Sequence, residues 1–334
     1  MDKTIKIAVD AMGGDGSPKK VIDGIIHHFK NNKNSFYQIF GDKDKILPHI
    51  NSNLINSSFK IFHTTDIVKG TDSPLEGAKR GKNTSMWLAI QSVKEKKSDV
   101  VISAGNTGAL LVISKLNLKM IENIDKPALS ALWPNKKGMS VVLDLGANIE
   151  CSPKNLIDFS IMGSSLFKSL YPDVNAKVAL LNIGSEELKG NEIIKETYQQ
   201  LNQRNNHDFE FRGYIEGNQL MNGDVNVIVA DGFTGNVALK TAEGTANFIT
   251  SELKKAMTGS IIGKISSLLN ISNLKKFKAR LDPRLYNGAI FIGLDSPVIK
   301  SHGGTDYIGF SNSLSVCTRT VTGDLIEKIR NNIK

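Results

Sequence analysis

One stretch of this chain combines the residue types that bind small anions. Residues 224–230 form a largely apolar strand pattern, and Asp231-Gly-Phe-Thr-Gly235 follows directly. Glycines let the backbone approach a ligand closely, and a helix that begins at about Asn236 presents N–H groups without partners inside the helix. The stretch therefore predicts an anion site, with phosphate as the first candidate.

A second stretch, near the carboxyl terminus, offers an ammonium group and an imidazole. Lys300-Ser-His-Gly-Gly-Thr305 follows the strand-like run 289–294. In this setting His302 can contact an anion or transfer a proton, or it can simply bond to the backbone of its own turn. A short basic loop at 79–82 is equally open to two interpretations, a phosphate clamp or a solvated run of charge.

Both stretches belong to a plan that repeats along the chain: an apolar strand, a loop rich in Gly, Asn, Asp or Thr, and a helix. The plan is typical of α/β proteins with parallel strands. Ligands of open α/β sheets bind at the carboxyl ends of the strands, so we predict one composite site. The alternative is that these glycines and asparagines only serve the turns. The predicted strands are 5–9, 100–103, 141–145, 178–183 and 224–230.

Two helix starts can be predicted residue by residue. Ser17 can cap a helix that has Pro18 in its first position and runs through Phe29. Ser152 and Pro153 predict a second start of the same kind, because serine accepts from backbone N–H groups and proline suits the first helical residue.

Length and composition favour a single large unit. The chain has 334 residues, 40% of them hydrophobic, which is enough for a substantial core. We predict one α/β domain over 1–334 with two interwoven lobes. The net charge of +9 favours contact with nucleic acid, anionic lipid, an acidic protein or phosphate-bearing substrates, without choosing among them.

Several classes of protein find no support in the sequence. No G-x-G-x-x-G follows a strand, no G-x-S-x-G occurs, and the histidines lack metal-ligand spacing, so neither a cofactor nor a metal is predicted. Cys151 and Cys317 lie far apart, which predicts two reduced thiols. The chain begins in a strand pattern and has no run of 18 apolar residues, so we expect a cytoplasmic protein that does not span a membrane.

The segment 252–281 differs from the rest in its amphipathic helical pattern. Its apolar residues recur at helical spacing with lysines around them. Such a segment either lies on an anionic membrane surface or docks on its own core or on a second subunit. The candidate membrane-contact residues are Ile261, Ile262, Ile265, Leu268 and Leu269.

Six motifs, taken in order, resemble those of the bacterial phosphate acyltransferase family. That family makes acyl-phosphate from acyl-acyl carrier protein and inorganic phosphate, the first step toward phosphatidic acid. The motifs span nearly the whole chain, which makes the resemblance specific. They are Val9-Asp-Ala-Met-Gly-Gly-Asp15, Ser103-Ala-Gly-Asn-Thr-Gly-Ala109, Leu143-Asp-Leu-Gly-Ala-Asn148, Leu181-Asn-Ile-Gly-Ser-Glu186, Asp231-Gly-Phe-Thr-Gly-Asn-Val237 and His302-Gly303.

The resemblance implies a three-layer α/β/α fold with a mixed sheet, similar to phosphotransacetylase and the isocitrate dehydrogenase group, in a homodimer. It also implies acyl carrier protein and inorganic phosphate as partners, and no nucleic acid. The resemblance further implies that the protein associates peripherally with a membrane. There it would transfer its product to a membrane glycerol-3-phosphate acyltransferase.

The reaction so implied needs binding groups more than strong acids or bases, so donors from loops and helix starts are our candidates. A carboxylate repels phosphate, and we therefore expect Asp10, Asp15 and Asp144 to organise loops rather than to react. The candidate catalytic residues are Asp231, Asn236 and His302. The candidate phosphate-binding residues are Gly105, Asn106, Thr107, Asn148, Gly232, Thr234, Gly235 and Lys300.

Two other functions remain open at this point. A phosphotransacetylase-like acyltransferase that uses coenzyme A thioesters, or a metal-dependent dehydrogenase, would share the architecture. A non-catalytic basic scaffold that binds lipid or nucleic acid would explain the charge and the amphipathic segment.

Overall fold

The computed structural model describes residues 4–50, 57–204 and 208–333. Within them, eleven strands form one sheet in the order β3-β2-β1-β4-β11-β10-β5-β6-β9-β7-β8. The strands are β1 Ile5–Asp10, β2 Ser35–Gly41, β3 Phe59–His63, β4 Val100–Ser103, β5 Ala128–Asn135, β6 Gly138–Leu143, β7 Lys177–Asn182, β8 Glu210–Glu216, β9 Val227–Val229, β10 Ala289–Ile292 and β11 Val298–Lys300.

Twelve α-helices connect and cover the strands in the same described ranges. They are α1 Lys19–Asn31, α2 Lys43–Ile46, α3 Pro74–Lys79, α4 Ser85–Lys94, α5 Thr107–Asn117, α6 Pro153–Leu170, α7 Glu192–Gln203, α8 Gly232–Thr258, α9 Ile261–Leu269, α10 Ile271–Arg280, α11 Tyr307–Thr322 and α12 Leu325–Asn332.

Side chains of successive strand residues enter opposite faces of the sheet, as the pleat requires. Ile7 and Val9 join one core with α1, α6 and α11, whereas Ala8 joins a second core with α4 and α5. In the other half of the sheet, Val142 enters a third core, against which the first turns of α8 pack. The helices thus lie on both faces, which confirms the predicted three-layer fold.

The strand directions divide the predicted composite site into two. Strands β1 to β4 and β11 are mutually parallel. Strand β10 is antiparallel to β11 and β5, and β6 is antiparallel to β5, so β6 and its parallel neighbours β7, β8 and β9 run the other way. The sheet is therefore mixed, as predicted. The two sets of carboxyl ends lie at opposite edges, so the prediction of one composite site is wrong for the single chain.

Of the three predicted helix starts, that of α6 is confirmed, and those of α1 and α8 need correction. Ser152 caps α6 in a capping box, with Pro153 as the first helical residue. By contrast α1 begins at Lys19, because the Ser17 hydroxyl donates to Gly13 O (2.6 Å) within the preceding loop and Pro18 occupies the cap position. Helix α8 begins at Gly232 rather than near Asn236, because the Asp231 side chain caps it.

The predicted amphipathic segment is helical and extends from the body of the protein. Ala238, Leu239 and Ala242 are the part of α8 that packs on the third core. We call the rest of α8 together with α9 and α10 (residues 243–280) the helical arm; most of its residues are exposed. None of the helices in the described ranges combines the length and the hydropathy needed to cross a bilayer.

Candidate active site

The carboxyl ends of β1, β4 and β11 bring three chemically active residues into register. Asp10 pairs with Ser103, and Ser103 pairs with Lys300, across neighbouring strands. Lys20, in the first turn of α1, completes the group. We call these four residues and the loops 11–16, 104–106 and 301–304 the lysine edge.

Asp10 is buried and held by hydroxyl groups. Its carboxylate accepts from Ser103 Oγ (2.6 Å), from Ser85 Oγ (2.7 Å) and from the Met12 backbone N–H (3.2 Å). Burial raises the pKa of Asp10, while these hydrogen bonds and the nearby Lys300 act in the opposite direction.

Lys300 lies near this carboxylate and Lys20 lies near Lys300, and both lysines are buried. Lys20 Nζ donates to Gly303 O (2.5 Å), and Lys300 Nζ donates to Ser301 O. Burial lowers the pKa of Lys20, and burial with the repulsion from Lys20 lowers the pKa of Lys300 to about 8. Lys300 was predicted from the sequence. Lys20 was missed, because a lysine in the first turn of a helix carries no sign of burial.

The three loops of the lysine edge pack backbone against backbone, which only glycine permits. A Cβ on Gly13 would lie 2.5 Å from Gly105 N, and a Cβ on Gly14, where φ is +84°, would lie 2.9 Å from Ala104 O. The Asp15 N–H donates to Gly303 O (3.0 Å) and ties the first loop to the third. These glycines therefore shape the site, beyond serving their own turns.

Asn106 lies at this edge, and its side chain is already bonded. Its Oδ1 accepts from Ala109 N (3.0 Å) and caps α5, while its Nδ2 donates to Gly70 O (3.1 Å) and Asp72 O (2.8 Å). Asn106 thus anchors the 70–72 loop. Its neighbour Gly105 donates its N–H to Ser103 Oγ (3.0 Å), and Thr107 is the first residue of α5.

The basic loop at 79–82 is partly neutralised. Arg80 forms a two-pronged ion pair with Asp72, and hydrogen bonding from Arg80 lowers the pKa of Asp72. Lys79 and Lys82 are exposed. Of the two interpretations of this loop, the structure favours solvated charge.

His302 bonds to the backbone of its own turn, as one of its two interpretations predicted. Its backbone N–H donates to Asn287 Oδ1 (2.9 Å), and its ring Nδ1 accepts from the Gly304 N–H (3.2 Å). The residue is exposed. The ring is therefore held over the 302–304 turn at the open side of the lysine edge.

The opposite edge of the sheet contains a second buried aspartate, at the end of β6. Asp144 accepts from the backbone N–H groups of Leu129 (3.0 Å), Gly146 (3.2 Å), Ala147 (3.0 Å) and Asn148 (2.7 Å), and from Asn148 Nδ2 (2.8 Å). Burial raises its pKa, and the N–H donors lower it in part. This confirms that Asp144 organises a loop. We call Asp144, Asn148 and residues 231–236 the asparagine edge.

Helix α8 begins early because Asp231 caps it. The Asp231 carboxylate accepts from Thr234 N (2.8 Å) and Thr234 Oγ1 (2.7 Å). The Gly232 N–H donates to Asn148 O (2.8 Å), and the Gly235 N–H donates to Asp231 O (2.9 Å). The backbone N–H groups of Gly232, Thr234 and Gly235 therefore already have partners within the chain.

Asn236 lies in the second turn of α8 and is exposed. Its side chain is close to Gly146, where an added Cβ would lie 3.5 Å from Asn236 Cβ. The predicted site residues thus separate into two groups within the chain. Gly105, Asn106, Thr107, Lys300 and His302 lie at the lysine edge, and Asn148, Asp231, Gly232, Thr234, Gly235 and Asn236 lie at the asparagine edge.

Solved structures share this architecture. A phosphotransacetylase from Staphylococcus aureus matches with a TM-score of 0.61 at 15% identity, over 96% of this chain and 94% of that chain. A phosphotransacetylase from Streptococcus pyogenes matches with a TM-score of 0.61 at 14% identity, over 98% of this chain and 95% of that chain. The chain is therefore an α/β protein of the phosphotransacetylase-like fold.

Sequence comparison identifies the family. The profile described as "Fatty acid synthesis protein" matches residues 5–328. A phosphate acyltransferase from Pelagibacter ubique is 90% identical over 333 residues, which are 100% of each chain. One from Maricaulis maris is 41% identical over 331 residues, 98% of this chain and 94% of that protein. The chain belongs to the phosphate acyltransferase family, as its motifs predicted, and it is an enzyme.

Proposed function

We propose that this enzyme moves a fatty acyl group from acyl-acyl carrier protein to inorganic phosphate and so supplies acyl-phosphate for phospholipid synthesis. The observation that carries the proposal is the 90% identity, over the whole chain, to a phosphate acyltransferase. The matching family model is described as "Fatty acid synthesis protein", which supports a fatty acyl substrate over a short-chain acyl substrate.

The reaction requires little acid or base catalysis. Inorganic phosphate, with a second pKa of roughly 7, is present in large part as the dianion at neutral pH, and one of its oxygens attacks the thioester carbonyl carbon. The C–S bond then breaks, and a thiolate with a pKa of about 8.5 can leave without prior protonation. Positioning and donors to the oxyanion supply the catalysis, so no covalent enzyme intermediate is needed.

The chain's own residues suit such a positioning role. Asp144 holds Asn148 and the loop before it, and Asn106 holds the 70–72 loop. We keep Asn236 as a donor to the oxyanion because it is exposed beside Gly146, and in the proposed homodimer the asparagine edge of one subunit would supply it to the lysine edge of the other. Proton transfer is assigned to His302 over Asp231, because Thr234 engages both carboxylate oxygens of Asp231.

The proposed donor also suits the charge of the enzyme. Acyl carrier proteins are acidic, and the net charge of +9 favours their encounter. We therefore expect added salt to slow association with acyl-acyl carrier protein, since surface attraction is screened beyond about 10 Å at 0.1 M ionic strength.

Helix α8 and the helical arm support two further parts of the proposal, a homodimer and peripheral contact with a membrane from the cytoplasm. Phe233, Val237 and Phe248 are exposed apolar residues along α8 and suit burial against a second copy. On α9, Ile261 is 78% and Leu269 84% exposed among lysines, which suits an anionic membrane surface. There the product would pass to a membrane glycerol-3-phosphate acyltransferase.

The test is to trap the product. Purified enzyme, palmitoyl-acyl carrier protein and phosphate should yield an acyl-phosphate that hydroxylamine converts to the hydroxamate, and omitting phosphate should abolish it. Turnover with short-chain coenzyme A thioesters alone would favour a phosphotransacetylase activity. Lipid binding without turnover of any thioester would favour the non-catalytic scaffold.

A further inference from the structure

We propose that Lys20 and Lys300 together bind the attacking phosphate, which places the phosphate site at the lysine edge and not at the start of α8. The inference rests on the proposed function, because it names where that function's nucleophile is held. Lys20 is the new element, since no sequence motif pointed to it.

The buried group at the lysine edge has an excess of positive charge. Lys20 and Lys300 are each only 9% exposed, and Asp10, the carboxylate beside Lys300, is 1% exposed. Buried charges are costly unless they are paired. One buried carboxylate against two buried ammonium groups leaves an excess positive charge, and the exposed Asp15 near Lys20 is well solvated. An anion with two charges would complete the balance.

The two lysines also supply hydrogen-bond donors for an anion. An ammonium group has three N–H donors. In the described part of the chain, Lys20 donates to Gly303 O and Lys300 to Ser301 O, both in one loop. The remaining donors of two neighbouring ammonium groups suit the several acceptor oxygens of one phosphate.

The backbone around the lysines is accessible from solvent. The surrounding loops meet at Gly14, Gly105 and Gly303, which are half-buried. A small tetrahedral anion can therefore approach the backbone closely from the solvent side. His302 is exposed on the same loop.

The asparagine edge is the poorer choice for a dianion. Its candidate donors on Gly232, Thr234 and Gly235 already have partners within the protein. It also contains the carboxylates of Asp144 and Asp231, which repel a phosphate. The lysine edge therefore attracts a phosphate dianion, whereas the asparagine edge repels it.

The test is to titrate the full-length enzyme with phosphate, in the absence of any thioester, and to measure the binding by isothermal titration calorimetry. Lys20→Met and Lys300→Met should each weaken phosphate binding about 10- to 100-fold, the usual effect of losing a hydrogen bond to a charged group. The matched control is Lys19→Met on the same turn, because Lys19 is 66% exposed and pairs with Asp23 (2.6 Å). It should leave the affinity within about twofold.

Unchanged phosphate affinity in folded Lys20→Met would overturn the proposal. Because the titration uses no acyl donor, failure of the proposed function would leave a lysine-dependent phosphate affinity intact, and the two failures can be told apart. During turnover, Lys20→Met should raise the KM for phosphate and leave the KM for the acyl donor unchanged.

A second measurement covers the case in which the variants do not fold. Wild-type enzyme is acetylated with a water-soluble reagent, with and without phosphate, and each lysine is followed by mass spectrometry. Phosphate should slow the modification of Lys20 and Lys300 but not that of Lys19. Equal rates at Lys20 with and without saturating phosphate would overturn the proposal.

Discussion

Each edge of the sheet presents a buried aspartate just where a strand ends, and the two aspartates have different neighbours. Asp10 accepts from two serine hydroxyls and lies near Lys300. Asp144 accepts from five N–H groups of the described chain, one on Leu129 of β5 and four in the loop 146–148. The same residue type therefore serves a charged binding group at one edge and the shape of a loop at the other.

The hydrogen-bond partners explain why the two edges should respond differently to mutation. A hydroxyl both donates and accepts, so it can rotate to suit a new partner. A backbone N–H can only donate and cannot move far. Loss of the Asp10 carboxylate should therefore destabilise the fold less than loss of the Asp144 carboxylate.

The largest expected effect comes from Asp144→Asn. The new amide group would direct N–H donors at N–H donors, and we expect the free energy of unfolding to fall by about 3 kcal/mol. Asp10→Asn should cost less, about 2 kcal/mol, because Ser85 and Ser103 can reorient although Lys300 loses the charge of its neighbouring carboxylate. Urea unfolding of both variants checks this. Equal losses would contradict the distinction between the edges.

Tight packing at the asparagine edge gives the next prediction. A Cβ on Gly235 would lie 1.9 Å from Asp144 O, whereas one on Gly244 in the same helix meets nothing within 4 Å. Gly235→Ala should destabilise the protein by about 2 kcal/mol, the typical cost of overpacking. Gly244→Ala should stabilise it by about 0.5 kcal/mol. Thermal unfolding measures both, and a stable, active Gly235→Ala would show that α8 does not need this contact.

The helical arm should be separable from both edges. Ile265→Asp combined with Leu269→Asp places two carboxylates on the exposed apolar side of α9 and should release the enzyme from anionic vesicles while soluble turnover persists. Vesicle co-sedimentation and the trapping assay report the two properties. Loss of turnover together with folding would instead indicate that this side docks on protein.

The smallest expected effect is a pH dependence that only the lysine edge can produce. Burial and Lys20 lower the pKa of Lys300 to about 8, with Asp10 acting in the opposite direction. Lys300 carries its charge below that pH, so phosphate affinity should fall as the pH rises through about 8, by up to tenfold per unit. Backbone N–H groups do not titrate in this range. A flat affinity from about pH 8 to 10, where phosphate stays dianionic, would argue for a backbone site.

Local signals in the sequence were sufficient for about half of the elements and for some of the site. The strands at β1, β4, β6 and β7 and the cap at Ser152 were predicted correctly, because each depends on residues close in the chain. The start of α8 was predicted too late, because the sequence did not reveal that Asp231 would act as the cap.

The features that could not be predicted depend on distant parts of the chain. The reversal of direction at β10 and β6 arises from strand pairing that no local pattern specifies, and it is this reversal that separates the two edges. Burial of Lys20 depends on Gly303, 283 positions away. The side-chain bonds of Asn106 to Gly70 and Asp72 are likewise invisible in its own motif.

The central claim is that the anion binds at the lysine edge. A crystal of the enzyme soaked in arsenate, a phosphate analogue, allows the anion to be located by anomalous scattering from arsenic. The account predicts the peak within hydrogen-bond distance of Lys20 Nζ and Lys300 Nζ, beside Gly303. A peak at the start of α8, beside Thr234 and Asn236, would contradict it.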